Sequence, residues 1–202
     1  MKRLKIIIIG ESNVGKSSLI SQYIDKNFKL EYMSTIANDR RIKKLIINDK
    51  EITIEIWDTV GQEKLRNINK MFLKNSQIAI FVYDITNKKS IEHFESYWYK
   101  EVCDTNDPNK IVFGIVANKI DLYNKQEIEP SEGIKLAETI GAKFYETSAN
   151  NYDSIEIVFE ELVENYINKF ANFDSDDNCN KSYILDNIST KKDKSNCCKI
   201  KR

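Results

Sequence analysis

Apolar runs rich in isoleucine and valine alternate along the chain with amphipathic stretches. The runs are Leu4 to Ile9, Ile52 to Trp57, Ile78 to Tyr83, Ile111 to Ala117 and the shorter Ala142 to Tyr145. Runs this continuous suit strands covered on both faces, because a strand with one wet face would alternate polar and apolar residues. Segments with helical spacing fit between them: Lys16 to Asp25, roughly Leu65 to Lys74, Ser90 to Val102, Pro130 to Ile140 and Ser154 to Phe170. Strand and helix in alternation predict an α/β fold with a mainly parallel sheet. One strand breaks the pattern. Arg40 to Ile47 and Ile52 to Trp57 flank Asn48-Asp49-Lys50, which predicts a hairpin whose first member is a charged, antiparallel edge strand.

Composition changes the picture at the two ends. From Asn172 onward the chain is rich in Asn, Asp, Ser and Lys with few apolar residues to bury, so residues 1–171 read as one domain and 172–202 as a disordered tail. A length of 202 residues suits one well-buried domain and a tail. At the start, Ile6 to Ile9 is too short an apolar run for a signal peptide or a membrane span, and Lys2 stands where N-myristoylation requires glycine, so the cytosol is expected. The cysteines Cys103, Cys179, Cys197 and Cys198 lack metal-ligand spacing, and Cys103 reads as a buried or half-buried thiol. With 31 basic against 31 acidic residues, nothing in the overall charge calls for a nucleic acid partner.

The strongest local signal is Gly10-Glu11-Ser12-Asn13-Val14-Gly15-Lys16-Ser17, a G-x-x-x-x-G-K-[ST] segment directly after the first predicted strand and before the first helix. Gly10 and Gly15 permit a backbone that turns successive N–H groups, from Ser12 through Ser18, toward one centre, and the helix adds its positive N-terminal end. Lys16 can then reach the β and γ phosphates while the Ser17 hydroxyl ligates Mg²⁺. A phosphate loop alone suits a kinase or an ATPase equally well. Asn118-Lys119-Ile120-Asp121, after the strand Ile111 to Ala117, points to guanine. A carboxylate at Asp121 accepts from both N1–H and the 2-amino group of guanine, a donor pair that adenine lacks. Adenine would leave it unpaired in a dry site, at a large cost. Asn118 is placed to tie this loop to its neighbours, and the Lys119 stem to lie against the base.

With these motifs in place the sequence resembles a Ras-superfamily GTPase over residues 4 to about 171. Trp57-Asp58-Thr59-Val60-Gly61-Gln62-Glu63 is similar to the family's W-D-T-A-G-Q-E, and Glu146-Thr147-Ser148-Ala149 to its E-T-S-A base-binding loop. Phe81-Val82-Tyr83-Asp84-Ile85-Thr86-Asn87, Ser34-Thr35-Ile36 and the late Cys-Cys pair resemble the Rab branch. The resemblance implies a P-loop GTPase fold: a mostly parallel six-stranded sheet with one antiparallel edge strand, flanked by five helices, matching the segments named above. It also implies roles. Phe28 edges the base, Tyr32 closes over the phosphates, and Ser148, Ala149 and Asn150 complete the base site. Thr35 and the backbone of Gly61 contact the γ phosphate, with Thr35 and Asp58 joining Ser17 at Mg²⁺, Asp58 through water. Gln62 orients the attacking water, while Lys16 neutralises developing charge. No arginine reads as a catalytic finger, so unassisted turnover is expected to be slow and accelerated by a GTPase-activating protein. Exchange factors, effectors and a prenyl-binding dissociation inhibitor or escort protein complete the implied partners.

The chain departs from the Rab pattern in places. Ile36-Ala37-Asn38-Asp39-Arg40 stands for I-G-V-D-F, so Arg40 replaces an aromatic expected beside Trp57. Val60 replaces the alanine next to the γ phosphate, and Asn150 replaces a lysine, weakening a minor contact. His93 is expected to be solvated, and Tyr97, Trp98 and Tyr99 to pack within their helix. Cys197-Cys198, followed by Lys199-Ile200-Lys201-Arg202, is similar to a double-prenylation site, which would anchor the protein on the cytoplasmic face of endomembranes. Two functional readings result: a GTP/GDP-cycling switch in vesicle traffic, favoured by Gln62, Thr35 and Asp58, or a GTP-holding scaffold if Val60 or the altered first switch blocks hydrolysis.

Overall fold

In a computed structural model of the chain, the described residues are 2–26, 39–59 and 71–170. Strands β1 (Lys2–Ile9), β2 (Asp39–Ile47), β3 (Lys50–Asp58), β4 (Ile78–Asp84), β5 (Val112–Asn118) and β6 (Lys143–Thr147) form one sheet in the order β2-β3-β1-β4-β5-β6. Only the β2–β3 pair is antiparallel, as expected for the charged edge. The connection is tighter than the sequence implied. Ile47 pairs with Lys50, so Lys50 belongs to the strand and the turn is Asn48-Asp49 alone, with φ of 51° and 60°. Both turn residues tolerate the left-handed region that such a hairpin demands.

Continuity of the apolar runs has a direct cause. Leu4, Ile6 and Ile8 of β1 enter one core with Leu19 and Tyr23 of helix α1 (Lys16–Asp25) and Val158, Phe159 and Leu162 of the last helix, whereas Ile7 and Ile9 enter the core on the opposite face with Phe81, Phe94 and Trp98. Each β1 isoleucine from Ile6 to Ile9 is at most 1% exposed. Burial of each stabilises the fold by about 1.5–3 kcal/mol relative to leaving it in water. Tyr23 stacks on Phe159 at 4.1 Å between ring centroids, joining α1 to that last helix.

The expected helix from Ser90 to Val102 is not continuous. It divides into α2 (Lys89–Glu92), a π-helical turn (Phe94–Tyr99) and α3 (Lys100–Thr105). At the division the His93 carbonyl accepts from both Tyr97 N (3.1 Å) and Trp98 N (3.2 Å), the second bond spanning five residues. Helices α4 (Pro130–Ile140) and α5 (Tyr152–Phe170) lie where expected. The Asn151 side chain accepts from the Asp153 and Ser154 amides, which moves the start of α5 two residues earlier than the sequence suggested. Of the segment Leu65 to Lys74, only residues from Met71 on are described, and Met71–Leu73 are helical. No helix among the described residues is long and apolar enough to cross a membrane.

Candidate functional site

β1 has β3 on one side and β4 on the other, so the chain leaves it in opposite directions and opens a crevice at its carboxyl end. Gly10 to Gly15 occupies that crevice. At Gly10 φ is 140°, and a Cβ there would lie 2.2 Å from the Val82 carbonyl oxygen of β4. At Gly15 φ is 100°, and a Cβ would lie 2.4 Å from Nδ2 of Asn118. Only glycine satisfies both demands. Asn13, at φ 68°, takes the third left-handed position. Helix α1 then starts at Lys16 with Gly15 as its N-cap, a residue that has no side chain to cap the first amides, and a helix N-terminus of this kind suits an anion.

Lys16 is 6% exposed, and its ammonium donates to the carbonyls of Gly10 (2.8 Å) and Glu11 (2.7 Å). Burial pushes it down to about 8, against the opposing pull of Asp58 and Glu11. Next to it the Ser17 hydroxyl donates to the carboxylate of Asp58, which sits at the carboxyl end of β3. The residue after it, Thr59, anchors the strand end by donating to the Ile8 carbonyl at 2.6 Å.

The other half of the crevice comes from β5 and β6. Their ladder, with β4, aligns Asp84, Asn118 and Thr147 in a row. Fully buried Asn118 donates through Nδ2 to the Val14 carbonyl at 2.8 Å and accepts from Thr147 Oγ1 at 3.3 Å, so it ties the phosphate loop to the next loop, as its sequence position implied. The Ser148 hydroxyl donates to Asp121 Oδ1 at 2.6 Å, and the Asn150 amide reaches Oδ2 at 3.4 Å. Asn150, which stands where a lysine is expected, thus makes a long contact with Asp121. Lys119 adopts φ 67°, uncommon for a residue with a side chain. Its ammonium bridges the Asn13 carbonyl at 2.8 Å and Asp84 Oδ2 at 2.5 Å.

Two contacts were not read from the sequence. Asp84 is 6% exposed; besides holding Lys119, it accepts from the amide and hydroxyl of Thr86. Glu11 Oε1 accepts from the indole N–H of Trp98 at 3.1 Å, with Nδ1 of His93 at 3.3 Å. Trp98 is thus more than a packing residue, and His93 is more than solvated. Arg40 lies opposite Trp57 across β2–β3 with its guanidinium 6.0 Å from the ring centroid, so a cation over the ring face takes the place of the expected aromatic. Phe28, Tyr32, Thr35, Val60, Gly61, Gln62, Cys197 and Cys198 lie outside the described residues.

A phosphate loop tied to a guanine-type loop on a doubly wound sheet defines the class of P-loop GTPases. The profile of the Ras family matches residues 5–168, and the chain belongs to that family. Among curated relatives, Ras-related protein Rab-18 of Caenorhabditis elegans is 38% identical over 173 residues, covering 86% of this chain and 84% of the relative. Ras-related protein RabQ of Dictyostelium discoideum is 37% identical over 157 residues, covering 78% and 76% respectively. Ras-related protein Rab-7a of the same organism is 33% identical over 168 residues, covering 81% and 82%. The chain is a Rab-like small GTPase that binds guanine nucleotide, hydrolyses GTP and serves membrane trafficking.

Proposed function

We propose that the crevice at the carboxyl end of β1 holds GTP with its phosphates on residues 10–18 and its base on Asn118, Lys119, Asp121 and Ser148 to Asn150. The observation that carries this reading is the Asn118 bridge to the Val14 carbonyl, which fixes the spacing between the two loops. In this reading the α1 amides receive phosphate oxygens, and Lys16 transfers its donors from the Gly10 and Glu11 carbonyls to the β and γ phosphates. Asp121, already oriented by Ser148, accepts from the guanine edge.

Ser17 and Asp58 bring a hydroxyl and a carboxylate into contact beside Lys16, a pair of hard oxygen donors that fits Mg²⁺. Among the described residues there is no group of three or more His, Cys, Asp or Glu, so phosphate oxygens and water would complete that ion's shell. When bound, the ion supplies neutralisation of phosphate charge. Thr35 would join it, Phe28 and Tyr32 would close over base and phosphates, Gly61 would read the γ phosphate, and Gln62 would orient the attacking water. Unassisted turnover is then on the order of 10⁻³ per second or slower, and a GTPase-activating protein supplies what the chain lacks. Exchange factors restore GTP, and effectors read the segments that the γ phosphate holds.

Residues 172–202 serve as a tail that carries the domain to membranes. Two prenyl groups on Cys197 and Cys198 give stable anchoring where one gives little. From Lys191 onward six basic residues against Asp193 add attraction to anionic lipid. Such a protein moves between the cytosol, held by a prenyl-binding dissociation inhibitor or escort protein, and the cytoplasmic face of endomembranes. The deciding experiment loads the full chain with GTP and Mg²⁺ and compares single-turnover hydrolysis with that of Gln62→Leu, and with ATP. Slow GTP turnover that falls in Gln62→Leu, with ATP ignored, supports these assignments. Retention of GTP without turnover, even with an activating protein, refutes them for catalysis.

A further inference from the structure

Glu11 places a carboxylate inside the loop assigned to phosphate. Left free, it would repel an incoming polyphosphate, because like charges at short range in a partly desolvated crevice interact strongly. It is not left free. Oε1 accepts from Trp98 Nε1 at 3.1 Å and lies 3.3 Å from His93 Nδ1, and Trp98 is 3% exposed.

The two groups that meet this carboxylate are five residues apart. In an unbroken α-helix such residues point about 140° away from each other around the axis. A turn closed by an i→i+5 bond brings them to one side. That bond is present between Trp98 N and His93 O at 3.2 Å, at the start of the π-helical turn. The local departure from α-helical geometry therefore has a result: His93 and Trp98 converge on one oxygen of the phosphate loop.

We propose that Trp98, with His93, is a positioning residue for nucleotide retention, holding the Glu11 carboxylate against the π turn and away from the phosphates. This rests on the reading of residues 10–18 as the phosphate site. Through Glu11, whose carbonyl also receives Lys16, the latch sets the shape of the loop. A fluorescent GDP analogue loaded on the full chain with Mg²⁺ and chased with unlabelled GDP measures release for wild type, Glu11→Gln, Trp98→Phe and the double variant. Trp98→Phe keeps an aromatic in the core, loses the donor and frees a charged Glu11, so release is expected to be about tenfold faster. In the double variant the freed side chain is neutral, so release returns to within about twofold of Glu11→Gln alone. A general packing defect would not be cured by removing a charge elsewhere. Trp98→Phe at the wild-type rate, or a double variant as fast as Trp98→Phe, overturns the inference. His93→Leu, at a half-exposed position, gives the same test if Trp98→Phe does not fold, with about threefold faster release expected and the same cancellation by Glu11→Gln. Failure of the wild-type chain to take up any GDP would instead overturn the phosphate-loop reading, and this inference with it.

Discussion

On the base side of the site, side chains hold one another: Ser148 fixes Asp121 at 2.6 Å, Thr147 and the Val14 carbonyl fix Asn118, and Asp84 fixes Lys119. On the phosphate side the chemistry-bearing groups rest on stand-ins, with Lys16 on two carbonyls and Ser17 on Asp58. In the proposed site the base side is held by its own side chains, whereas the phosphate side would exchange its present partners for nucleotide. On that proposal, discrimination between bases would come from a preassembled surface and response to the number of phosphates from groups that rearrange.

Four substitutions would sharpen or break that contrast. Lys16→Ala has the largest expected effect: losing a buried cation that takes up phosphate lowers GDP affinity about a thousandfold, read by titration with a fluorescent analogue. Asp121→Ala weakens GDP about a hundredfold and strengthens weak ADP binding, because only guanine offers the donor pair and adenine no longer strands a carboxylate. Equal losses for both nucleotides would show that Asp121 shapes the loop and does not read the base. Asn118→Ala leaves the buried Val14 carbonyl without its donor and costs about 1–3 kcal/mol of stability in urea denaturation of the nucleotide-free chain. If that cost appeared only with nucleotide bound, the base side would not be preassembled. Ser148→Ala removes one orienting hydroxyl from Asp121 and lowers GDP affinity about fivefold, with hydrolysis per bound GTP unaltered.

Strands and the two nucleotide loops were legible because their signals are local. A continuous apolar run such as Ile6 to Ile9 means two covered faces, and short motifs carry their own chemistry. What escaped the sequence is long-range. Asp84 meets Lys119 across 35 residues, and only the β4–β5 register shows it. The Glu11 contact with Trp98 spans 87 residues and depends on a π turn that helical periodicity cannot reveal, since that periodicity assumes 3.6 residues per turn. Arg40 stands beside Trp57 where the sequence pattern calls for an aromatic, but only the strand pairing shows its guanidinium over the ring.

Gly10 and Gly15 are two of only six glycines in the chain, and they are irreplaceable for different reasons. A methyl group at Gly10 would strike the backbone of β4, whereas at Gly15 it would strike the side chain that joins the two loops. To a lineage accumulating mutations, the first position is closed to any replacement in one step. The second is closed twice over: even in a descendant that had lost Asn118, a φ of 100° would still strain any side chain, so giving up the bridge between the loops opens no inherited route to a new site.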